Sequence, residues 1–549
     1  MKCKMRRSLA AMLALSVLST AVASAAPSLS QPGEEIRGEQ PGPTAEVEDN
    51  APAQPSEVAQ DTFVIRNMEL DATEMKLKKA DVAKIMESCL NREVTLSDLN
   101  GMVDRITAYC REHGYPASAA YLPAQDSTDG TLTIRIIPGR YGRVILDNKS
   151  RLKDEVLVGF IKGLKRGEII RAEKLETALY SISDVSSSKA VGVLGPGEDF
   201  GTSDVTIRVE SEKSSSTVLY AENYGSKSSG RYRFGIQHSM YDVGGTGAKL
   251  NVGALISDKD LHNYYLNYET IIGRGGTTLG IGFSRMDYQL GGIASIFGSN
   301  GYAHTLSLYG SRPIFHMTDR DLKFVYGYDY RKLIDDMDAY NGLMDLDKHS
   351  HNVHVGLTGS QKSQGIAIDY SAMLTVGRLG IDSNTLYSEI VKRYSGTEGT
   401  YTKAEASVTA VKALGHKTDL MLKMGGQLAG KNLDSSEKFY LGGARGVRAY
   451  PQGEASGDEG WQGTAELRYY TDLPGLILSA YLDAGHVRLT HDGLSGGRTL
   501  KGWGVGLSYS KPNDWFARLD YARRIGGYEN MSADAASKGR TWFILGKIW

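Results

Sequence analysis

Three stretches of this chain carry residue types that could do chemistry. Gly493-Leu494-Ser495-Gly496-Gly497 has the spacing of a nucleophile elbow, in which a strained strand-to-helix turn lifts a serine hydroxyl above a sheet. No helix-forming segment stands behind it, so the stretch reads as a glycine-rich hairpin rather than a hydrolase site. His349, His351 and His354 are closely spaced, but on a strand His354 faces opposite the other two, and the three read as surface-loop histidines rather than metal ligands. Asp335, Asp336 and Asp338 likewise read as loop residues on the outside of the molecule. No nucleotide-binding motif is visible. The chain is therefore read as a non-enzyme, with no catalytic, cofactor-binding or metal residues.

The remaining chemistry is electrostatic. Tyr440-Leu441-Gly442-Gly443-Ala444-Arg445-Gly446-Val447-Arg448-Ala449-Tyr450 is rich in glycine and arginine, ends before Pro451, and reads as a loop folded tightly on itself. In the strand that follows, Leu478, Ala480, Leu482 and Ala484 share one face, so Tyr481 and Asp483 point the other way. If the apolar face meets lipid, Asp483 lies inside a barrel, where the planar guanidinium of Arg448 can pair with it in a fork. On spacing alone, Arg448 as one more solvated arginine stands beside this reading.

Several elements must position these residues. Four basic residues, an apolar run from Leu9 to Val22, and Ala23-Ser24-Ala25 make residues 1–25 a secretory signal. Residues 26–61 hold six prolines and eight acidic residues against one basic, and read as a linker that cannot offset its own ordering entropy. Residues 62–139 form a small α+β module. Val82, Ile85, Met86 and Cys89 mark one helical face; a second helix capped by Thr95 with Asp98 buries Leu99, Met102, Val103, Ile106 and Cys110 and stops at Gly114. Residues 140–212 repeat the strand-helix-helix-strand-strand order. Cys89 and Cys110 face the inside of the first module. In an exported protein they read as a disulfide worth about 3 kcal/mol, with two buried thiols as the alternative.

From residue 213 to 549 the chain alternates apolar and polar residues. Leu322, Phe324, Tyr326, Tyr328 and Tyr330 interleave with Lys323, Val325, Gly327, Asp329 and Arg331. With 31 tyrosines against 11 phenylalanines and no apolar run of 18 residues after the leader, the pattern predicts a transmembrane antiparallel β-barrel. At about 20 residues per strand and connection, it should have about 16 strands. Lys547 shares a face with the terminal Trp549 and is expected to snorkel. The formal charge is −1, and removing the four basic leader residues turns 63 basic against 64 acidic into 59 against 64, so nothing in the charge suggests a nucleic-acid partner.

The loop resembles the Val-Arg-Gly-Tyr motif in the sixth extracellular loop of two-partner secretion transporters, barrels that carry POTRA domains. Val447, Arg448 and Tyr450 match, Asp483 matches the Phe-x-Asp strand motif with Tyr481 in place of Phe, and Gly457-Asp458-Glu459-Gly460 fits Gly-Asp-x-Gly. Ala449 stands where that family has glycine, a position at which close backbone approach is at issue. The two modules are similar to POTRA domains 1 and 2. The resemblance implies a bacterial outer-membrane transporter with periplasmic POTRA domains, moving an unfolded hemagglutinin- or hemolysin-like exoprotein to the cell surface. It implies that Val447, Arg448, Tyr450, Tyr481 and Asp483 latch the loop to the barrel wall. Its partners would be that client, outer-membrane lipid, and the assembly machinery that inserts barrels. A factor that assembles other barrels, and an outer-membrane enzyme, are the alternatives.

Overall fold

Strands that cross a membrane must pair along both edges, because lipid offers no partner for a free N–H or C=O, and a closed barrel leaves no edge. In the computed structural model sixteen antiparallel strands close into such a barrel, behind two α+β modules. The structure describes residues 45–49, 62–125, 127, 130–185, 187–273, 275–527 and 532–549; the leader and most of the linker fall outside these.

In chain order, strand β1 (Ala45–Asp49) precedes the first module. That module comprises β2 (Thr62–Val64), β3 (Asn67–Asp71), helix α1 (Lys79–Glu87), β4 (Glu93–Thr95), α2 (Leu96–Glu112), β5 (Ala119–Tyr121) and β6 (Thr131–Ile137). Strand β3 runs parallel to β6, and β5 antiparallel to it. Helix α2 starts at a reciprocal cap: the Thr95 hydroxyl accepts from the Asp98 amide at 3.2 Å and the Asp98 carboxylate accepts from the Thr95 amide at 2.8 Å. Leu99, Met102, Val103, Ile106 and Cys110 form its buried face, and Gly114 beyond its end takes φ +92°.

Contrary to the disulfide expected from the sequence, Cys89 and Cys110 are free, buried thiols. The Cys89 sulfur lies 3.9 Å from the Asp98 carbonyl in the first turn of α2. Cys110 is near the other end of that helix, about 18 Å away at 1.5 Å per residue. A disulfide needs its Cα atoms within about 7 Å. The two cysteines share an apolar interior but lie at opposite ends of it.

The second module follows the same plan with β7 (Arg140–Lys149), α3 (Asp154–Ile161), α4 (Ala172–Val185), β8 (Ser188–Pro196) and β9 (Thr202–Ser211). Strand β7 pairs parallel with β9, and β8 antiparallel with it. Tyr141, Leu157, Leu175, Leu179, Ile182 and Ile207 fill its core. The linker reading gives way at residues 45–49, because β1 adds to this sheet parallel to β8, from Ala45 beside Ala190 to Asp49 beside Leu194.

The barrel strands are β10 (Ser215–Glu222), β11 (Arg233–Val243), β12 (Ala248–Ser257), β13 (Leu261–Ile271), β14 (Thr278–Gln289), β15 (Ser299–His316), β16 (Arg320–Met337), β17 (Leu346–Ser363), β18 (Ile366–Ile381), β19 (Gly399–Ala413) and β20 (Thr418–Ala429). A short pair within the next connection, β21 (Phe439–Tyr440) and β22 (Ser456–Gly457), precedes β23 (Glu459–Tyr470), β24 (Leu476–Arg488), β25 (Gly497–Ser510), β26 (Trp515–Arg524) and β27 (Gly539–Ile548). Helix α5 (Leu386–Tyr394) lies between β18 and β19. Strand β10 pairs with both β11 and β27, which closes the ring. Leu478 and Leu482 are 45% and 57% exposed on the outer face, while Tyr481 and Asp483 on the opposite face of the strand are buried. Near the chain end, the Lys547 ammonium lies over the rings of Trp515 and Trp549 at 5.0 and 5.4 Å.

Helix α4 joins the second module to the barrel. Thr177 Oγ1 accepts from the His316 amide at 2.9 Å, Tyr180 stacks on the His316 ring at 4.5 Å, and Asp184 accepts from Lys323 at 2.6 Å and lies 3.0 Å from His316 Nδ1. The turn between β15 and β16 therefore lies on the side of the modules, and the long connection 430–458 at the opposite mouth.

The histidine and aspartate stretches expected in loops lie largely on strands. His349, His351 and His354 are on β17, not in a loop; His354 faces inward, 3.4 Å from Asp329, and the other two face outward. Asp335 and Asp336 belong to β16, and Asp335 faces inward, where Lys348 approaches it at 3.3 Å.

Candidate functional site: a loop held inside the barrel

Residues 430–458 leave the top of β20 and turn back into the lumen. The β21–β22 pair forms the stem, and above it the Gly442 amide donates to Glu454 O at 2.9 Å and the Val447 amide to Leu441 O at 2.8 Å. At Gly446 a Cβ would fall 2.0 Å from Leu441 O, so only glycine allows the two passes of the loop to approach this closely. Leu441, Val447, Ala449, Tyr450 and Ala455 pack against Tyr481, Val487, Leu500 and Ala522 of the wall.

This fold delivers Arg448 to Asp483. Arg448 Nε and Nη2 donate to the two Asp483 oxygens at 2.9 Å each, and the Arg448 backbone amide donates to the same carboxylate at 3.1 Å. The Tyr481 ring lies under the guanidinium, 3.2 Å from its centroid, a cation–π contact on a second face. Thr464 donates to Asp483 at 2.9 Å, and Trp542 Nε1 donates to the Arg448 carbonyl at 2.7 Å. Tyr450 packs under Arg524, whose guanidinium is 4.5 Å from the ring centroid.

Ala449 fits where the resembling loops carry glycine because of its neighbour. Its methyl faces Gly502 on β25, where a Cβ would stand 2.6 Å from the Ala449 Cβ. Ala449 is absent from the residues with positive φ, so the position requires space rather than a left-handed backbone.

Three participants went unrecognised in the sequence. Glu466 accepts from Arg448 Nη1 at 3.0 Å, Asp520 lies 3.5 Å from the same nitrogen, and Arg518 bridges Glu466 and Asp520 at 3.1 and 2.7 Å. Each occupies an inward position of an alternating strand: Glu466 between Ala465 and Leu467, and Asp520 between Leu519 and Tyr521. That signal was available for the facing, though not for the pairing.

The other arm of the loop is held by the opposite wall. Asp434 pairs with Lys348 at 3.0 Å, and Glu437 pairs with Arg331 at 2.7 Å and Lys403 at 3.1 Å and accepts from Asn352 at 3.1 Å. Asp458, fully buried, accepts from Lys438 at 2.6 Å and from the His491 amide at 2.8 Å. The loop thus spans the lumen from β16, β17 and β19 to β23, β24 and β26.

The sequence profile described as haemolysin secretion/activation protein ShlB/FhaC/HecB matches residues 201–509, more than half of the chain. The chain belongs to the haemolysin secretion/activation protein family. Residues 63–139 match the ShlB-type POTRA domain. The heme/hemopexin transporter protein HuxB of Haemophilus influenzae is 26% identical over 502 residues, 87% of this chain and 86% of that protein. The outer membrane transporter CdiB of Dickeya dadantii is 22% identical over 459 residues, 81% of this chain and 80% of that protein. Among solved structures, CdiB from Escherichia coli has the same fold, with a TM-score of 0.67 at 19% identity over 91% of this chain and 92% of that one. BamA from Haemophilus ducreyi lacking POTRA domains 1-3 gives a TM-score of 0.50 at 13% identity, over 89% of this chain and all of that one. This member of the haemolysin secretion/activation family is an outer-membrane two-partner secretion transporter with periplasmic POTRA-like modules, and the barrel-assembly alternative is not favoured.

Proposed function

We propose that the client is an unfolded hemagglutinin- or hemolysin-like exoprotein, that the two periplasmic modules receive it, and that Val447, Arg448, Tyr450, Tyr481 and Asp483 latch the loop across the conduit until the client arrives. The observation that carries this reading is the forked Arg448–Asp483 pair, at 2.9 Å on both arms inside the lumen. A guanidinium fork fixes orientation as well as position, which is what a latch on a mobile loop requires. The barrel would enter the membrane through the cell's own barrel-assembly machinery and contact outer-membrane lipid on its apolar face. Folding of the client outside the cell supplies a driving force where nucleotide is absent. Recognition is tested by deleting residues 62–212: the inserted barrel should lose binding to the amino-terminal region of the exoprotein, and unchanged binding would move the receptor elsewhere.

A further inference from the structure

The outward-facing histidines have no part in transport through the lumen, yet they belong to a patch. His304 of β15 stands beside Lys332 of β16, which stands beside His349 of β17. In the next outward row, about 7 Å further along the strands, Tyr330 is opposite His351, and His351 is opposite Arg378 of β18. With neighbouring strands about 4.8 Å apart, Lys332 and Arg378 lie roughly 12 Å from one another on one surface. His351 is held by Tyr328, whose hydroxyl is 2.7 Å from Nδ1, and by the Tyr330 ring at 5.1 Å. His349 is matched by Asp382 at 2.8 Å. Among the described residues Lys332 and Arg378 have no carboxylate partner, and the buried His304 Nδ1 has no hydrogen-bond partner.

Toward the module side of this patch the wall becomes apolar. Val355, Leu357 and Leu374 rise on one side and Leu428 and Trp461 on the other, and between them Ala372, Ala404, Ala406 and Gly426 floor a groove of about 830 Å³. The patch is at the extracellular end of the strands and the groove lies within the membrane-facing band, so the two follow one another in the order of a lipid's headgroup and chains. Beyond the patch, Asp347 and Asp382 would repel an anion bound any higher.

We propose that strands β15–β20 and β23 carry a binding site for an anionic, phosphate-bearing lipid of the outer leaflet, with its phosphate on Lys332 and Arg378 and an acyl chain in the Ala404–Ala406 groove. Charge decides the headgroup: two unmatched cations at a membrane interface select an anion, and a basic side chain there is worth about 1 kcal/mol, or roughly fivefold in affinity. Shape decides the tail, since small side chains flanked by large ones make a channel of chain width.

The test is native mass spectrometry of the full chain in mild detergent, titrated with a bisphosphorylated hexa-acyl glucosamine disaccharide lipid, with phosphatidylethanolamine, and with inorganic phosphate. Wild type should retain the phosphorylated glycolipid one to one. The double variant Lys332→Ala/Arg378→Ala should retain it about thirtyfold less well, Ala404→Trp should weaken it through the groove alone, and Arg378→Lys should recover much of the loss. Heat-modifiable migration establishes that each variant is a closed barrel, and the single variant Arg378→Gln serves if the double one fails to close. Equal retention by wild type and the cation variants would overturn the proposal. So would equal retention of phosphatidylethanolamine, full displacement by inorganic phosphate, or occupation of the face by a second copy of the chain instead of lipid.

Discussion

Replacing Arg448 with alanine leaves Asp483, Glu466 and Asp520 close together inside the wall, with Arg518 as the guanidinium still paired to the latter two. Breaking a buried pair by removing one partner costs about 3 to 5 kcal/mol. At 1.4 kcal/mol per decade, the ratio of seated to unseated loop falls between about a hundredfold and a few thousandfold. The remaining anchors, Asp434 on Lys348 and Glu437 on Arg331 and Lys403, keep the other arm in place, so the barrel should still assemble. Secretion should therefore suffer far more than insertion. Asp483→Ala should give the same defect, and the double variant should be little worse than either single one, since the two residues act as a unit. Arg448→Lys keeps the charge but loses the fork, and should fall between. The assay is secretion by all five proteins, normalised to barrel content in the outer membrane, with single-channel conductance in planar bilayers as a direct report on loop seating. Independent, multiplicative defects would refute the pairing as the functional unit, and normal secretion by Arg448→Ala would remove the loop from the mechanism.

Three further outcomes are expected. Denaturation alone, without reductant, should expose both Cys89 and Cys110 to alkylation. In the folded module Cys110 should react slowly, because burial pushes its thiol up to about 11 and the thiolate is the nucleophile; a need for reductant would reinstate the disulfide. Gly502→Ala should impair loop seating and secretion because its methyl meets Ala449, and Ala449→Gly in the same chain should restore them; no rescue would mean that the two positions do not share that space. At the joint between α4 and the barrel, burial pushes the Asp184 carboxyl up, but the His316 hydrogen bond and the charges of Lys323 and His316 outweigh it and hold the group below the usual carboxylate range. A depressed carboxylate stabilises docking fully above its unfolded value near 3.8 and loses that contribution as pH falls through the folded one. Hydrogen exchange in residues 172–185, corrected for intrinsic rates, should therefore rise below about pH 4 in the parent and already at neutral pH in Asp184→Asn.

Local signals in the sequence were reliable where the interaction is local. The cap of Thr95 with Asp98, the buried face of α2 and the inward direction of Asp483 depend on neighbours within a few residues or on strand alternation. Cys89 and Cys110 show where such reasoning stops, because sharing a buried face says nothing about position along it. Glu466, Asp520 and Arg518 were legible as inward charges, but their convergence on Arg448 requires the closed ring and a loop folded into it. The anchors of Glu437 on β16 and Asp434 on β17 join residues about a hundred positions apart. The histidines read as loop residues in the sequence because β15 to β18 run for 16 to 18 residues, longer than a span of the bilayer needs.

Strand β1 bears on the proposed role of the second module as receiver of the client. The sheet in the order β1-β8-β9-β7 is already complete at its β8 edge, with Ala45–Asp49 in place. A client segment that pairs with β8 therefore exchanges one strand for another, and the backbone hydrogen bonds it gains replace ones the chain already had. Under the proposed reading of the modules as the client's receiver, pairing at this edge is an exchange of strands rather than the filling of an open edge.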